Sequence, residues 1–198
     1  IGGHLDLMRR ARPVGEWLAD GQTPPALRDQ LTLAAQLRDF ATRELGLPDN
    51  GSYRSYADLQ RPYAVWNVFA AEAFSVEAVL SCFPVAGCVA YRGFFARADA
   101  EAHARGLAER GLDVVIVGVP AYSTLGRFDD PLLSTFIAWP ETELARLLFH
   151  ELSHQVVYVQ DDSTFNESFA VVVEREGVRR WLASRGREAD LQRYREAR

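Results

Sequence analysis

The 198-residue chain is 48% apolar and 11% aromatic, which is enough to bury the core of one domain. Its 22 basic residues, all of them arginine, and its 27 acidic residues give a net charge of −5 with no basic block. This pattern excludes a basic surface for nucleic acid, and the lack of lysine excludes Schiff-base chemistry.

The first predicted element is helical and covers residues 4–46, where leucine and other apolar side chains recur at helical spacing. Gly46 and Pro48 should end it, because glycine favours the left-handed backbone of a helix end and proline cannot continue a helix. Residues 63–69 are rich in aromatic and β-branched side chains and predict a strand.

The two cysteines, Cys82 and Cys88, flank a predicted reversal at residues 84–87. Proline and glycine in this segment favour a tight turn between two short strands, which would bring the sulfurs within bridging distance. A disulfide would indicate an oxidising compartment. The alternative is a pair of thiols packed as small apolar groups.

A helix is predicted over residues 97–110 with Gly111 as its end, followed by a buried strand over residues 112–119 that Pro120 ends. Strands and helices do not alternate regularly, which favours an α+β fold over a doubly wound sheet. We expect one domain over residues 1–198, with an N-terminal helical segment (1–50), a sheet-containing part (60–140) and C-terminal helices (141–198).

The pattern H-E-x-x-H begins at His150 and lies in a helix predicted over residues 141–159. Two imidazoles four residues apart, here His150 and His154, share one face of a helix and can bind a single Zn²⁺. Glu151 is then the general base that takes a proton from water. The alternative is an amphipathic helix whose histidines are only packed.

A catalytic zinc site needs a third protein ligand and one open position. We expect Glu167, thirteen positions after His154, because Asn166 is a suitable N-cap for a helix that a short loop returns against the first. Asp161 and Asp162 in the loop compete for the same role.

The sequence does not identify a group that orients the histidines. Position 171, one turn beyond Glu167, is a valine rather than an acidic residue. We predict that the helix runs over residues 167–176 before Gly177, with Glu174 and Glu176 solvated on its surface.

Tyr122 and Tyr158 are candidates for stabilising an oxyanion or holding a substrate, with ordinary packing as the alternative. Tyr158 stands four residues after His154, on the same face of the predicted helix. Residues 132–138 could form an exposed edge strand that binds an extended peptide through its backbone.

Several ordered motifs together resemble one known family. They are Cys82-Phe83-Pro84-Val85-Ala86-Gly87-Cys88, Tyr91-Arg92-Gly93, Val119-Pro120-Ala121-Tyr122-Ser123-Thr124-Leu125-Gly126, Phe128-Asp129-Asp130-Pro131, Phe149-His150-Glu151-Leu152-Ser153-His154 and Phe165-Asn166-Glu167-Ser168-Phe169-Ala170. On these residues the chain resembles, over nearly its whole length, the predicted zinc aminopeptidase family of Gram-negative bacteria.

The resemblance implies a zincin-like metallopeptidase fold with a small mixed or antiparallel sheet, an HExxH helix and a following helix that supplies a glutamate ligand. It implies one catalytic Zn²⁺ bound by His150, His154 and Glu167, with Glu151 as the base. It further implies a periplasmic envelope lipoprotein, with a signal and a lipidated cysteine ahead of Ile1. Because Ile1 is not an initiator methionine, we also expect that a segment preceded it.

The expected function is hydrolysis of peptide bonds in a peptide or protein substrate by a zinc metallopeptidase, with aminopeptidase activity implied by the resemblance. An aminopeptidase must recognise a free α-amine with an acidic group, for which Asp129, Asp130 and Asp161 are candidates. The alternatives are a zinc endopeptidase and a zinc-stabilised binding module of the envelope that has no turnover.

Overall fold

A computed structural model describes residues 2–83 and 87–196 of the chain. The helices are α1 (Gly2–Arg10), α2 (Val14–Ala19), α3 (Pro25–Leu45), α4 (Arg97–Ala108), α5 (Glu141–Ser153), α6 (Ser163–Ser184) and α7 (Glu188–Glu196). The strands are β1 (Arg12–Pro13), β2 (Ser55–Ala57), β3 (Val65–Glu72), β4 (Ser81–Phe83), β5 (Gly87–Val89), β6 (Arg92–Phe94), β7 (Leu112–Val119) and β8 (Leu132–Leu133). Within these described ranges, no helix combines the length and the apolar character that a membrane span requires.

The main hydrophobic core lies between α3, α5 and α6. Leu31 and Leu37 of α3, Leu148 and Leu152 of α5 and Leu182 of α6 are all fully buried. Each helix buries apolar side chains at spacings of three or four residues, which places them on one face. The helix that carries H-E-x-x-H is therefore held by packing along most of its length.

Helices α5 and α6 are antiparallel and closely packed. The indole of Trp181, late in α6, donates a 2.7 Å hydrogen bond to Glu141 in the first turn of α5. Gly177 permits the close approach, because a Cβ at this position would lie 2.6 Å from Cδ2 of Phe149. The prediction that Gly177 ends a helix is wrong, since α6 continues to Ser184 and uses this glycine for packing.

The predicted N-terminal helix over residues 4–46 is in fact divided into α1, α2 and α3. Arg12 and Pro13 pair with β2 between the first two helices, because proline lacks the N–H that a helix interior requires. The predicted end is confirmed, as Gly46 caps α3 with a left-handed φ of 68°.

The described residues form three small sheets, with strand orders β1-β2-β8, β6-β3-β7 and β4-β5. Strands β3 and β7 pair antiparallel from Val65 opposite Val119 to Glu72 opposite Leu112. The predicted strands at residues 63–69 and 112–119 are thus present. However, β7 is not buried on both faces, because Val115 and Val117 are exposed.

The predicted cysteine hairpin is confirmed on both sides of its turn. Cys82 of β4 stands directly opposite Cys88 of β5, and the two sulfurs form a disulfide. The turn residues 84–86 lie outside the described residues.

The predicted exposed edge strand over residues 132–138 is wrong. Only Leu132 and Leu133 are extended; both are buried and pair in parallel with β2. The chain then turns, with the N–H of Phe136 bonded to the carbonyl of Leu133. These residues contribute to the core instead of offering a free backbone edge.

Candidate metal centre

The two histidines lie at the C-terminal end of α5. This helix starts after Pro140 and ends at Ser153, whose hydroxyl donates a 2.6 Å hydrogen bond to the carbonyl of His150. The helix is six residues shorter than the predicted range of 141–159. The residues that follow include three valines, which have low helix propensity because they are stiff at χ1.

The loop that returns the chain to α6 is fastened by Asp162 and Asn166. Asp162 is the N-cap of α6, and its carboxylate accepts from the N–H of Phe165 at 2.9 Å. Asn166, predicted as the N-cap, instead lies buried in the first turn and bonds to both the N–H and the carbonyl of Val159, at 2.8 and 2.7 Å. These bonds hold the loop against α6 one residue before Glu167.

His150, His154 and Glu167 come together as a possible metal-binding group. The Nε2 atoms of the two histidines are 3.1 Å apart, and they lie 3.2 and 3.6 Å from the two carboxylate oxygens of Glu167. A tetrahedron with metal–ligand bonds of about 2.1 Å has edges of about 3.4 Å. The nitrogen–nitrogen distance and each nitrogen–oxygen distance lie near this value, and one donor atom from each of the three residues lies within 4.8 Å of the other two. The group is therefore of a size that fits a small cation such as Zn²⁺.

The group is open on the side of the carboxylate. The side chain of Glu167 is 62% exposed, whereas those of His150 and His154 are largely buried. Of the two competing aspartates, Asp162 is occupied as the helix cap, and Asp161 lies in the loop with a left-handed backbone. An exposed third ligand leaves room for water or substrate at a fourth position.

Glu174 orients one of the histidines. Its carboxylate lies 3.1 Å from Nδ1 of His150, and Arg146 donates to its other oxygen at 3.1–3.2 Å. Glu174 is only 3% exposed, so the prediction that it is solvated is wrong. Glu174 stands seven residues after Glu167, two turns along the same face of α6, so it faces α5. The position one turn after Glu167 is Val171, which cannot take this role.

The charges around this pair favour ionised Glu174. Burial by itself would raise the pKa of Glu174. The hydrogen bonds and charges of His150 and Arg146 have the larger effect, so the pKa of Glu174 is lowered. Burial by itself would lower the pKa of His150. The hydrogen bond with Glu174 and the charges of three glutamates have the larger effect, so the pKa of His150 is raised. An ionised Glu174 fixes the proton of His150 on Nδ1, which leaves Nε2 free as a metal ligand.

Glu151 lies beside the metal-binding group in a mostly dehydrated position. Burial raises the pKa of Glu151, while the neighbouring His150 and a hydrogen bond from the Ser123 hydroxyl partly oppose the rise. The loop that carries Ser123 is anchored by Asp130, whose buried carboxylate accepts from the N–H and the hydroxyl of Thr124 at 2.7 and 3.0 Å. Asp130 is thereby committed to loop structure rather than to amine recognition.

The two predicted tyrosines have different surroundings. The Tyr122 ring packs against His4 and Phe95, and burial raises the pKa of its phenol. Tyr158 is not on the HExxH helix as predicted, yet its ring centroid lies 6.3 Å from that of His154, and the side chain is 50% exposed. Of the two, Tyr158 therefore adjoins the metal-binding group.

Sequence reasoning missed Glu174 and Ser123. A search for acidic residues two turns beyond Glu167, rather than one, would have found Glu174. Ser123 has no comparable signal, because its contact with Glu151 joins segments that are 28 residues apart in the chain.

The geometry thus brings His150, His154 and Glu167 together as a candidate metal centre, with Glu151 next to His150 in the chain. The family model described as "Putative aminopeptidase" matches residues 1–198, and the chain belongs to this family. No curated protein and no solved structure matches the chain.

Proposed function

We propose that this chain is a zinc-dependent metallopeptidase with aminopeptidase activity, in which His150, His154 and Glu167 hold the ion and Glu151 is the general base. The observation that carries the proposal is the convergence of the three residues: the two Nε2 atoms are 3.1 Å apart, Nε2 of His150 lies 3.2 Å from one carboxylate oxygen of Glu167, and Nε2 of His154 lies 3.6 Å from the other. Membership of a family of putative aminopeptidases supports the reaction class. The proposal includes a zincin-like arrangement of α5 and α6.

When bound, zinc supplies Lewis acidity, which polarises a peptide carbonyl and lowers the pKa of water. Glu151 then accepts a proton and later delivers it to the leaving amine. Its raised pKa suits this role, because burial makes the carboxylate a better proton acceptor than an exposed one.

Other residues have positioning roles in this proposal. Glu174 holds the His150 ring so that Nε2 stays directed at the ion. Tyr158 is the better supported of the two tyrosines for contact with substrate or oxyanion, because it is exposed beside His154. Asp129 and Asp161 remain candidates for binding the α-amine of the substrate.

The proposed location is the periplasmic side of the envelope, with a lipid anchor ahead of residue 1 as the family resemblance implies. The disulfide between Cys82 and Cys88 supports an oxidising compartment. Labelling of the full-length precursor with a fatty-acid analogue in cells would test the anchor, and the absence of label would contradict it.

The proposed activity can be tested with zinc-loaded protein and a peptide library, half with free and half with acetylated N-termini. Release of single residues from free N-termini only is the expected result, and Glu151→Gln should abolish it while it retains bound zinc. Internal cuts in both halves would instead indicate an endopeptidase. A zinc-dependent rise in Tm without any cleavage would indicate the binding module.

A further inference from the structure

His154 lies just past the end of the helix that carries the H-E-x-x-H pattern. Helix α5 ends at Ser153, and His154 is its C-cap residue, whose N–H reaches the carbonyl of His150 at 3.4 Å. Nδ1 of His154 is buried without a hydrogen-bond partner among the described residues, whereas Nδ1 of His150 has Glu174. Because helix ends fray, the position of the His154 ring depends on what holds the backbone beside it.

The next residue, Gln155, is held by a loop from a distant part of the chain. Its Oε1 accepts a 2.7 Å hydrogen bond from Nδ2 of Asn50, and its Nε2 donates to the hydroxyl of Ser52 at 3.3 Å. Asn50 and Ser52 lie between α3 and β2, 105 and 103 positions before Gln155. We call Asn50, Ser52 and Gln155 the loop clamp.

Other hydrogen bonds determine how the side-chain amides of the loop clamp are oriented. Oδ1 of Asn50 accepts from the N–H of Ser52 at 3.1 Å and from Arg38 at 3.4 Å. Since an amide oxygen only accepts, Nδ2 of Asn50 is left to donate to Gln155. Oε1 of Gln155 is then directed at Asn50 and Nε2 at Ser52. Each amide therefore has one orientation that satisfies all of these partners.

Arg38 of α3 holds the loop in place. Its Nε donates to the carbonyl of Ser52 at 2.8 Å. Its Nη2 donates to the carbonyls of Pro48 and Asn50 at 2.6 and 3.1 Å. Both Arg38 and Ser52 are fully buried, and hydrogen bonds from a buried guanidinium are charge-assisted. The loop is therefore firm enough to fix a residue that binds to it.

A second loop packs close to Gln155 on the side of Gly126. A Cβ added to Gly126 would lie 3.0–3.1 Å from three atoms of the Gln155 side chain, and the φ of 77° at this residue favours glycine. The side chain of Gln155 thus adjoins two loops, which limits the rotamers that it can adopt.

We infer that Gln155 is a positioning residue of the candidate metal centre. Through the loop clamp it fixes the backbone at His154, and so the direction of a ring whose Nδ1 has no partner among the described residues. Glu174 acts directly on the ring of His150, whereas Gln155 acts on His154 through the chain. The inference rests on the proposed zinc-binding function of this centre.

The zinc affinity of Gln155→Ala, measured by competition with a chromogenic chelator, tests the inference. We expect Kd to rise by about 10-fold, the lower end of the usual range for residues that orient a metal ligand, because Gln155 acts through the backbone. Asn50→Ala should cause a similar rise. The double variant should bind no more weakly than the weaker single variant, since both changes remove the same contact. Gln192→Ala, which removes an exposed 2.7 Å bond to Glu196, should bind zinc as the wild type does.

A second readout separates positioning from a general loss of stability. Co²⁺ is bound in place of zinc, and its visible absorption bands depend on the arrangement of its ligands. Gln155→Ala should alter these bands in protein that remains folded by circular dichroism, whereas a change that only lowers stability leaves the bands of the folded protein intact. Unchanged bands, or a zinc Kd within about twofold of the wild type, would overturn the inference.

The outcomes separate this inference from the proposed function. If the wild type binds zinc and Gln155→Ala binds it equally well, the inference fails and the proposed function stands. If the wild type does not bind zinc, the proposed function fails. The loop clamp is then judged on the metal-free protein by hydrogen exchange of the backbone amides of residues 150–157. Faster exchange in Gln155→Ala than in the wild type and Gln192→Ala would support it, and equal exchange would overturn it.

Discussion

Replacing Glu174 by glutamine should weaken zinc binding, because it removes the charge that orients His150. The carboxylate is buried and lies 3.1 Å from Nδ1, so the hydrogen bond it accepts is charge-assisted and contributes about 1.5–3 kcal/mol. Loss of such an orienting partner typically weakens metal affinity by about 10- to 100-fold, which corresponds to about 1.4–2.8 kcal/mol. The two estimates agree, so we expect Kd to rise by one to two orders of magnitude.

Zinc binding should be sensitive to the loss of the Glu174 charge, because only one of the two histidines has an orienting partner among the described residues. Nδ1 of His154 is buried without a hydrogen-bond partner among the described residues, so Glu174 anchors one ring of the pair. The fold should tolerate glutamine, because Arg146 keeps its 2.6 Å ion pair with Glu143.

Zinc affinity is measured at pH 7 by competition with a chromogenic chelator. The matched control is Glu176→Gln, the same substitution two residues later on α6. Glu176 is partly exposed and pairs with Arg179 and Arg180, whose hydrogen bonds lower its pKa to about 2. We expect the control to bind zinc as the wild type does. If Glu174→Gln binds zinc within about twofold of the wild type and remains folded by circular dichroism, the orienting role of Glu174 is refuted.

Three further predictions concern stability and pH. Arg38 is fully buried and donates to three backbone carbonyls of the loop at residues 48–52, so Arg38→Met should lower the free energy of unfolding in urea by about 3 kcal/mol or more. A loss below about 1 kcal/mol would contradict this role. Gly177→Ala should cost about 1–3 kcal/mol in the same assay, because the new Cβ would lie 2.6 Å from Phe149, and an unchanged midpoint would disprove the clash. Zinc affinity should fall as the pH drops, because protons compete for the imidazoles. Burial by itself would lower the pKa of His150, but its acidic neighbours have the larger effect and the pKa is raised. Zinc affinity should therefore begin to fall at a pH above about 6.5, the ordinary pKa of histidine. A Kd that stays constant between pH 7.5 and 6, measured by the same competition assay, would rule this out.

Much of the candidate centre follows from local spacing in the sequence. His150 and His154 share a face because they are four residues apart in a helix, whatever that helix packs against. Glu167 returns to them because the intervening loop is short and Asp162 supplies a cap for the next helix. The cysteine hairpin is similarly local, since six positions separate the two sulfurs.

Other features depend on how distant segments pack. Whether Glu174 is solvated or buried against His150 depends on the register between α5 and α6, which Gly177 and Phe149 set by their close approach. The sequence predicts too long an α5, because the pattern of apolar residues continues past Ser153. The valines that follow have low helix propensity, and the helix ends before them.

The sequence by itself determined which residues form the candidate centre: two histidines four positions apart, the acid between them and a glutamate on the next helix. Only the tertiary structure decided which acid orients His150, that Ser123 lies near Glu151, and that Tyr158 rather than Tyr122 adjoins the histidines. The physical reason is the distance along the chain over which each interaction acts. Helical periodicity and short loops act over a few residues, whereas burial of a polar side chain depends on packing between elements that the chain brings together from far apart.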